Sequence, residues 1–113
     1  MRAPISIVIR GGDLIGALMS LAEGLEAGLI CDVWLVGGTL REQAVAQAAG
    51  VGAVPNMAQV PATGAYVVTL PAGGVLGAGW AAVALGSLQQ GLGCRLQLQD
   101  GDVRMARRQR VGD

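Results

Sequence analysis

Three glycine pairs, Gly11-Gly12, Gly37-Gly38 and Gly73-Gly74, each follow closely on a short apolar run, with Asp13 beside the first and Thr39 beside the second. Glycines that turn a strand into a helix let phosphates approach the backbone amides at the helix start, where the helix dipole also favours negative charge. An acid at such a turn can hydrogen-bond a ribose or a base. Asp13, Gly37, Gly38 and Thr39 are therefore the candidate nucleotide-binding residues, and Arg10 adds a positive charge beside them. The same residues have a plainer reading: paired glycines make tight turns, Asp13 and Thr39 cap helices, and Arg10 is a solvated charge. No G-x-G-x-x-G or P-loop fingerprint decides between the two. No residue stands out as catalytic. Cys31 and Cys94 have no histidine to join in the whole chain, which removes a zinc site and a Cys-His nucleophile, and both read as buried free thiols.

The elements that would carry these residues follow a repeated strand, glycine, helix pattern. Ile5–Ile9 (ISIVI) is a continuous apolar run suited to a strand covered on both faces. Asp13 then caps a helix with Leu14, Leu18, Leu21 and Leu25 at helical spacing, and Gly28 stops it. Val33–Val36 is a second strand, and Thr39 with Glu42 forms a T-x-x-E capping box for a helix to about Ala49. Val51–Val54 reads as a short strand before a loop between Pro55 and Pro61, and Tyr66–Leu70 (YVVTL) as the next strand. A helix over Trp80–Gln90 places Trp80, Val83, Ala84 and Leu88 on one face, and Arg95–Gln99 alternates as an edge strand before the Asp100-Gly101 turn into Val103. Strands joined through helices run parallel with right-handed crossovers, so the three glycine pairs should meet at the carboxyl rim of one sheet. The predicted fold is α/β: a three-layer Rossmann-like domain with a mostly parallel sheet.

At 113 residues the chain has room for one core, and 52% hydrophobic residues with only 14% charged favour a packed domain over disorder. The expected organisation is a domain over 1–103 and a basic tail over 104–113. All eight basic residues are arginine, balanced by eight acids, so a nucleic-acid-binding domain is not expected. The tail RMARRQR would place Arg104, Arg107 and Arg108 on one helical face with Arg110 close by, a small basic patch suited to peripheral contact with an anionic membrane, to nucleic acid or to an acidic protein, or else a frayed, solvated end. Gly73–Leu88 is uncharged but too short and glycine-rich for a membrane span. With no leader pattern at the N-terminus, a cytoplasmic location is expected.

Three stretches together resemble family 2 glycosyltransferases. PISIVI, from Pro4, is similar to that family's first strand, commonly PISVVIPTLNE. Ala22–Val54 resembles its second unit, where a strand leads to D-G-G-S-T-D and a helix, and GAYVVTLPAGGVLGAGW, Gly64–Trp80, resembles a strand and metal-binding turn of the form GDWLLFLHADTVLPPGW. The matches lie in order between about residues 4 and 88. The resemblance implies the N-terminal half of a GT-A type nucleotide-binding domain, transfer of sugar from a nucleotide diphosphate, and Mg²⁺ or Mn²⁺ to neutralise the leaving group.

The chain departs from that pattern where the chemistry is done. Arg10 stands in place of proline, Leu14 in place of a nucleotide-contacting Glu, Val36 or a deletion in place of the Asp before Gly37, and Arg41 in place of a later Asp. Gly73 stands where the metal-binding Asp belongs, so no cofactor is expected, and the acceptor-binding part is missing. These departures imply a glycosyltransferase-like protein with weak or absent activity that binds a nucleotide-sugar at most. The alternative is a structural or interaction module on the same fold. With so few surface charges, a homo-oligomer or a protein partner is expected in either case.

Overall fold

The computed structural model describes residues 3–108. The chain is α/β, with one six-stranded, mostly parallel mixed sheet in the order β3-β2-β1-β4-β6-β5. Its strands are β1 (Ile5–Ile9), β2 (Ile30–Val36), β3 (Gly52–Val54), β4 (Tyr66–Leu70), β5 (Cys94–Leu98) and β6 (Gly101–Arg107). The helices are α1 (Leu14–Ser20), α2 (Ala22–Glu26), α3 (Leu40–Ala48) and α4 (Trp80–Gln89), with a 3-10 turn at Met57–Gln59. β1 pairs in parallel with both β2 and β4, and β2 with β3, while β6 runs antiparallel to β4 and to β5.

Period-two alternation divides the sheet into two unlike faces. Ile5, Ile7, Ile9, Leu35, Val68, Leu70, Leu96 and Met105 point one way and join one continuous core with Leu14 and Ala17 of α1, Ala46 of α3 and Trp80, Ala81 and Ala84 of α4. Ser6 and Val8 point the other way and are also buried, but outside that core. On their side runs the 55–65 connection, which carries the chain from the end of β3 back to the start of β4. Two prolines and a single 3-10 turn replace the crossover helix that a third layer would need. Helices thus cover one face, and the expected third layer is a loop over β1 and β2.

That loop is fastened by polar side chains at its far end. The Gly64 amide donates to the Ser6 hydroxyl at 2.8 Å, and Thr63 donates to the Asp32 carboxylate from both its hydroxyl, at 2.7 Å, and its amide, at 3.2 Å. Burial raises the Asp32 carboxyl, but the polar groups turned toward it, with Thr63 donating from both hydroxyl and amide, outweigh that and hold the group below its ordinary value. Asp32 Oδ1 and Trp34 Nε1 are buried without a hydrogen-bond partner. A folded value below the unfolded one means that this contribution is complete above the unfolded carboxyl range, around pH 3.9, and is lost as pH falls through the folded value. The stability advantage of the native chain over Asp32→Asn should therefore be constant near neutrality and shrink only in strong acid, as read by denaturant melts across pH. An advantage that grows on acidification would contradict this.

Several local expectations are corrected by tertiary packing. The first helix does not run unbroken to Gly28: it divides at Leu21, whose amide turns back to Leu18 and Met19, and the resulting shift leaves Leu25 55% exposed. In α4, Ala81 is buried in place of Val83, which is 52% exposed. β2 begins at Ile30 rather than Val33, because Ile5 of β1 pairs with Ile30. Cys31 and Cys94 are free but only half-buried.

The largest correction concerns the basic tail. β6 continues through Arg107, so the expected boundary after residue 103 falls inside a strand, and no helical arginine face forms over 104–108. Arg104 and Arg107 instead project to opposite sides of the sheet, with the Arg107 guanidinium 5.7 Å from the Tyr66 ring centroid. Arg108 donates through Nε to the Gly64 carbonyl at 2.8 Å, while Arg110 lies outside the described residues.

Candidate functional site

The three glycine turns come from parallel strands, and the structure brings them into contact at one rim. The Gly73 amide donates to the Gly11 carbonyl at 2.8 Å, joining the turn after β4 to the turn after β1. Gly12, at φ +90°, lies so close that an added Cβ would stand 2.5 Å from the Gly73 nitrogen. A Cβ on Gly11, also at φ +90°, would stand 3.5 Å from Gly38 Cα and 3.3 Å from both carboxylate oxygens of Glu42. These two glycines are needed for close backbone approach as well as for their positive φ.

Both proposed caps are present. Asp13 Oδ1 accepts from the Gly16 amide at 2.9 Å and starts α1. Thr39 and Glu42 form the reciprocal capping box of α3, the Glu42 amide donating to Thr39 Oγ1 at 3.1 Å and the Thr39 amide to Glu42 Oε1 at 3.0 Å. The box has a chemical cost. The Thr39 amide, one of the donors expected for an anion, already holds the protein's own carboxylate, and the Gly37 amide is spent on Val54 of β3 at 2.9 Å.

Around these turns lie three hollows that share Asp13. A recess of about 300 Å³ lies between Asp13, Thr39, Arg41 and Glu42, with Gly12 and Ile15 in its wall. A second, of about 210 Å³, lies between Asp13, Gly73, Gly74, Gln99 and Asp100. A wider cleft of about 580 Å³ runs on past Ser20, Glu23 and Glu26 to Gly77. Two of its walls are set by tertiary contacts: Trp80 Nε1 donates to the Ser20 carbonyl at 2.7 Å, and Glu23 accepts from the amides of Gly79 and Ala81 at the start of α4. Gly79 brings no capping side chain of its own, so Glu23 of α2 supplies the missing acceptor.

Asp13, Thr39, Gly37 and Gly38 thus stand on one rim, as the parallel order requires, with Asp13 at its centre. Besides Asp13, the carboxylates of Glu42 and Asp100 line the hollows at this rim. Asp100 was legible only as a hairpin turn, and Glu42 only as a capping residue. No family model matches this chain. Nor does any curated protein or solved structure match it.

The divalent cation implied by the glycosyltransferase resemblance does not fit these residues. Gly73 has open space where a Cβ would point but no side chain to offer, and Asp13 has one oxygen committed to its cap. Among the described residues, no three of His, Cys, Asp or Glu converge as a metal-holding group. Positive charge at the rim comes from the arginines instead: Arg41 lines the recess with Asp13, and Arg10 is exposed at the end of β1.

Proposed function

We propose that this chain is a glycosyltransferase-like, nucleotide-sugar-binding domain of GT-A type with little or no capacity for sugar transfer. The observation that carries this reading is the meeting of the turns after β1, β2 and β4 at the carboxyl rim, with Asp13 shared by three adjoining hollows. Open α/β sheets take their ligands at that edge. Asp13 offers an acceptor to ribose or sugar hydroxyls, and Arg41 offers charge to a phosphate. Transfer asks more, because stabilising the charge on the departing diphosphate is usually the largest catalytic term. Two exposed arginines in place of a chelated cation supply little of it.

A second reading is favoured by one observation: the Thr39 and Gly37 amides are satisfied internally, as in a scaffold with no anion to bind. On that reading the chain is a structural or interaction module. Calorimetric titration with UDP-glucose separates the two. Nucleotide-sugar binding gives a saturable heat that Mn²⁺ does not strengthen, and Asp13→Asn or Arg41→Gln weakens it about 10-fold, the worth of roughly 1.4 kcal/mol in a charge-assisted hydrogen bond. Asparagine caps helices as well as aspartate, so the first variant keeps its fold. No heat at millimolar ligand would favour the module.

A further inference from the structure

On the face of the sheet opposite the helices the 55–65 loop is fastened to Ser6 of β1 and Asp32 of β2, while Arg104 of β6 and Arg95 and Gln97 of β5 stand exposed. Alternation and register place Val67 and Thr69 of β4, Asp102, Arg104 and Ala106 of β6, and Arg95 and Gln97 of β5 on this open face. Val67, Thr69 and Ala106 are half-buried and low, forming a shallow apolar strip, while Arg95, Gln97 and Arg104 are exposed along its outer side.

The two arginines face each other across a strand pair. Arg95 and Arg104 are direct partners across the antiparallel β5–β6 pair, and like charges directly opposite each other destabilise a sheet. A single carboxylate offsets them, Asp102, which meets Arg95 at 3.3 Å with both side chains largely in solvent. Such an exposed pair contributes little. Arg104 has no salt bridge among the described residues.

We propose that this open face docks an acidic amphipathic helix of a partner protein, the helix lying on the Val67–Thr69–Ala106 strip with its carboxylates over Arg104 and Arg95. Charge complementarity names the partner, and small side chains allow a helix to approach the sheet closely. The surface is poorly suited to other polyanions. It has no aromatic side chain on which a base could stack, and two arginines beside an aspartate fall short of the basic clusters that hold anionic lipid surfaces. This face lies apart from the nucleotide rim and does not depend on the function proposed there.

The test uses the whole chain and a synthetic helical peptide with an Ala/Leu stripe flanked by glutamates, read by backbone amide shifts. The expected result is saturable binding with shifts at Val67, Thr69, Arg104 and Ala106, weakened by salt and reduced about 10-fold or more in Arg104→Glu, as for a close interfacial charge pair. Arg41→Gln, at the rim, leaves it unchanged. Relief of the repulsion with Arg95 should also raise the Tm of unbound Arg104→Gln, marking a residue kept for binding. The proposal is overturned if the glutamine version of the peptide binds equally well, or if millimolar acidic peptide shifts none of these amides. Phosphatidylserine vesicles or an oligonucleotide shifting them where the peptide does not would also overturn it, as would a lower Tm for Arg104→Gln.

Discussion

Replacing Trp80 with alanine is expected to destabilise the chain by about 3–5 kcal/mol, the cost of emptying a large buried aromatic site. The side chain is 2% exposed, stands at the start of α4, and joins α4 to the α1–α2 pair through the core and through its bond to the Ser20 carbonyl. Its ring presses against Gly24 of α2, where a larger residue would collide with it. Truncation thus opens a cavity, frees a carbonyl and loosens the helix whose first turn Glu23 caps. Small domains hold about 5–15 kcal/mol in all, so the variant should lose a large share of its stability and unfold at markedly lower urea. Urea denaturation followed by far-UV dichroism checks this, and a loss below about 1 kcal/mol would mean that α4 does not depend on this anchor.

Gly12→Ala should cost about 3 kcal/mol and should act on the rim before the core. A left-handed backbone penalises any Cβ by roughly 1–2 kcal/mol, and here the added methyl would also meet the Gly73 backbone, which cannot swing aside as a flexible side chain can. The turns after β1 and β4 must then separate, breaking the bond from the Gly73 amide to the Gly11 carbonyl. Amide exchange at Gly73 should accelerate strongly while exchange in Val68 and Ile7, at the centre of the sheet, changes only with global stability. Gly73→Ala is the natural comparison: it shares the positive φ but has open space around its Cβ, so it should cost only the conformational part. Equal losses in the two variants would show that close packing of the turns contributes nothing.

What could be read in the sequence was what short stretches encode. The parallel half of the sheet was legible because β1, β2 and β4 are compact apolar runs leading to glycine pairs, and the caps Asp13 and Thr39 with Glu42 act over three residues. Parallel strands then place their turns on one rim, so the meeting of the glycine pairs followed from topology. The contacts that shape the hollows were hidden because they span the chain. Asp32 reaches Thr63, Glu23 caps a helix that begins at Trp80, and Asp100 lines the same hollow as Asp13 beside the turn after β4. No local pattern marks such pairs.

The tail misled for a related reason. Arginines at 104, 107 and 108 fit a helical spacing, and only pairing with β4 and β5 makes the segment a strand, which sends Arg104 and Arg107 to opposite faces. Likewise the spacing of Leu14, Leu18, Leu21 and Leu25 suits one long helix, but the turn at Leu21 brings Gly24 under Trp80 and sends Leu25 to solvent. Packing against a distant residue overrode propensity in both places. Two of the amides expected for an anion, those of Gly37 and Thr39, hold partners within the protein itself.

Amide-shift mapping of the intact protein with UDP-glucose tests the nucleotide-sugar reading most directly. The account predicts saturable shifts confined to Gly12, Asp13, Gly38, Thr39 and Gly73, without consumption of the donor. Shifts that settle elsewhere on the molecule, or a rim that stays silent at millimolar ligand, would contradict it.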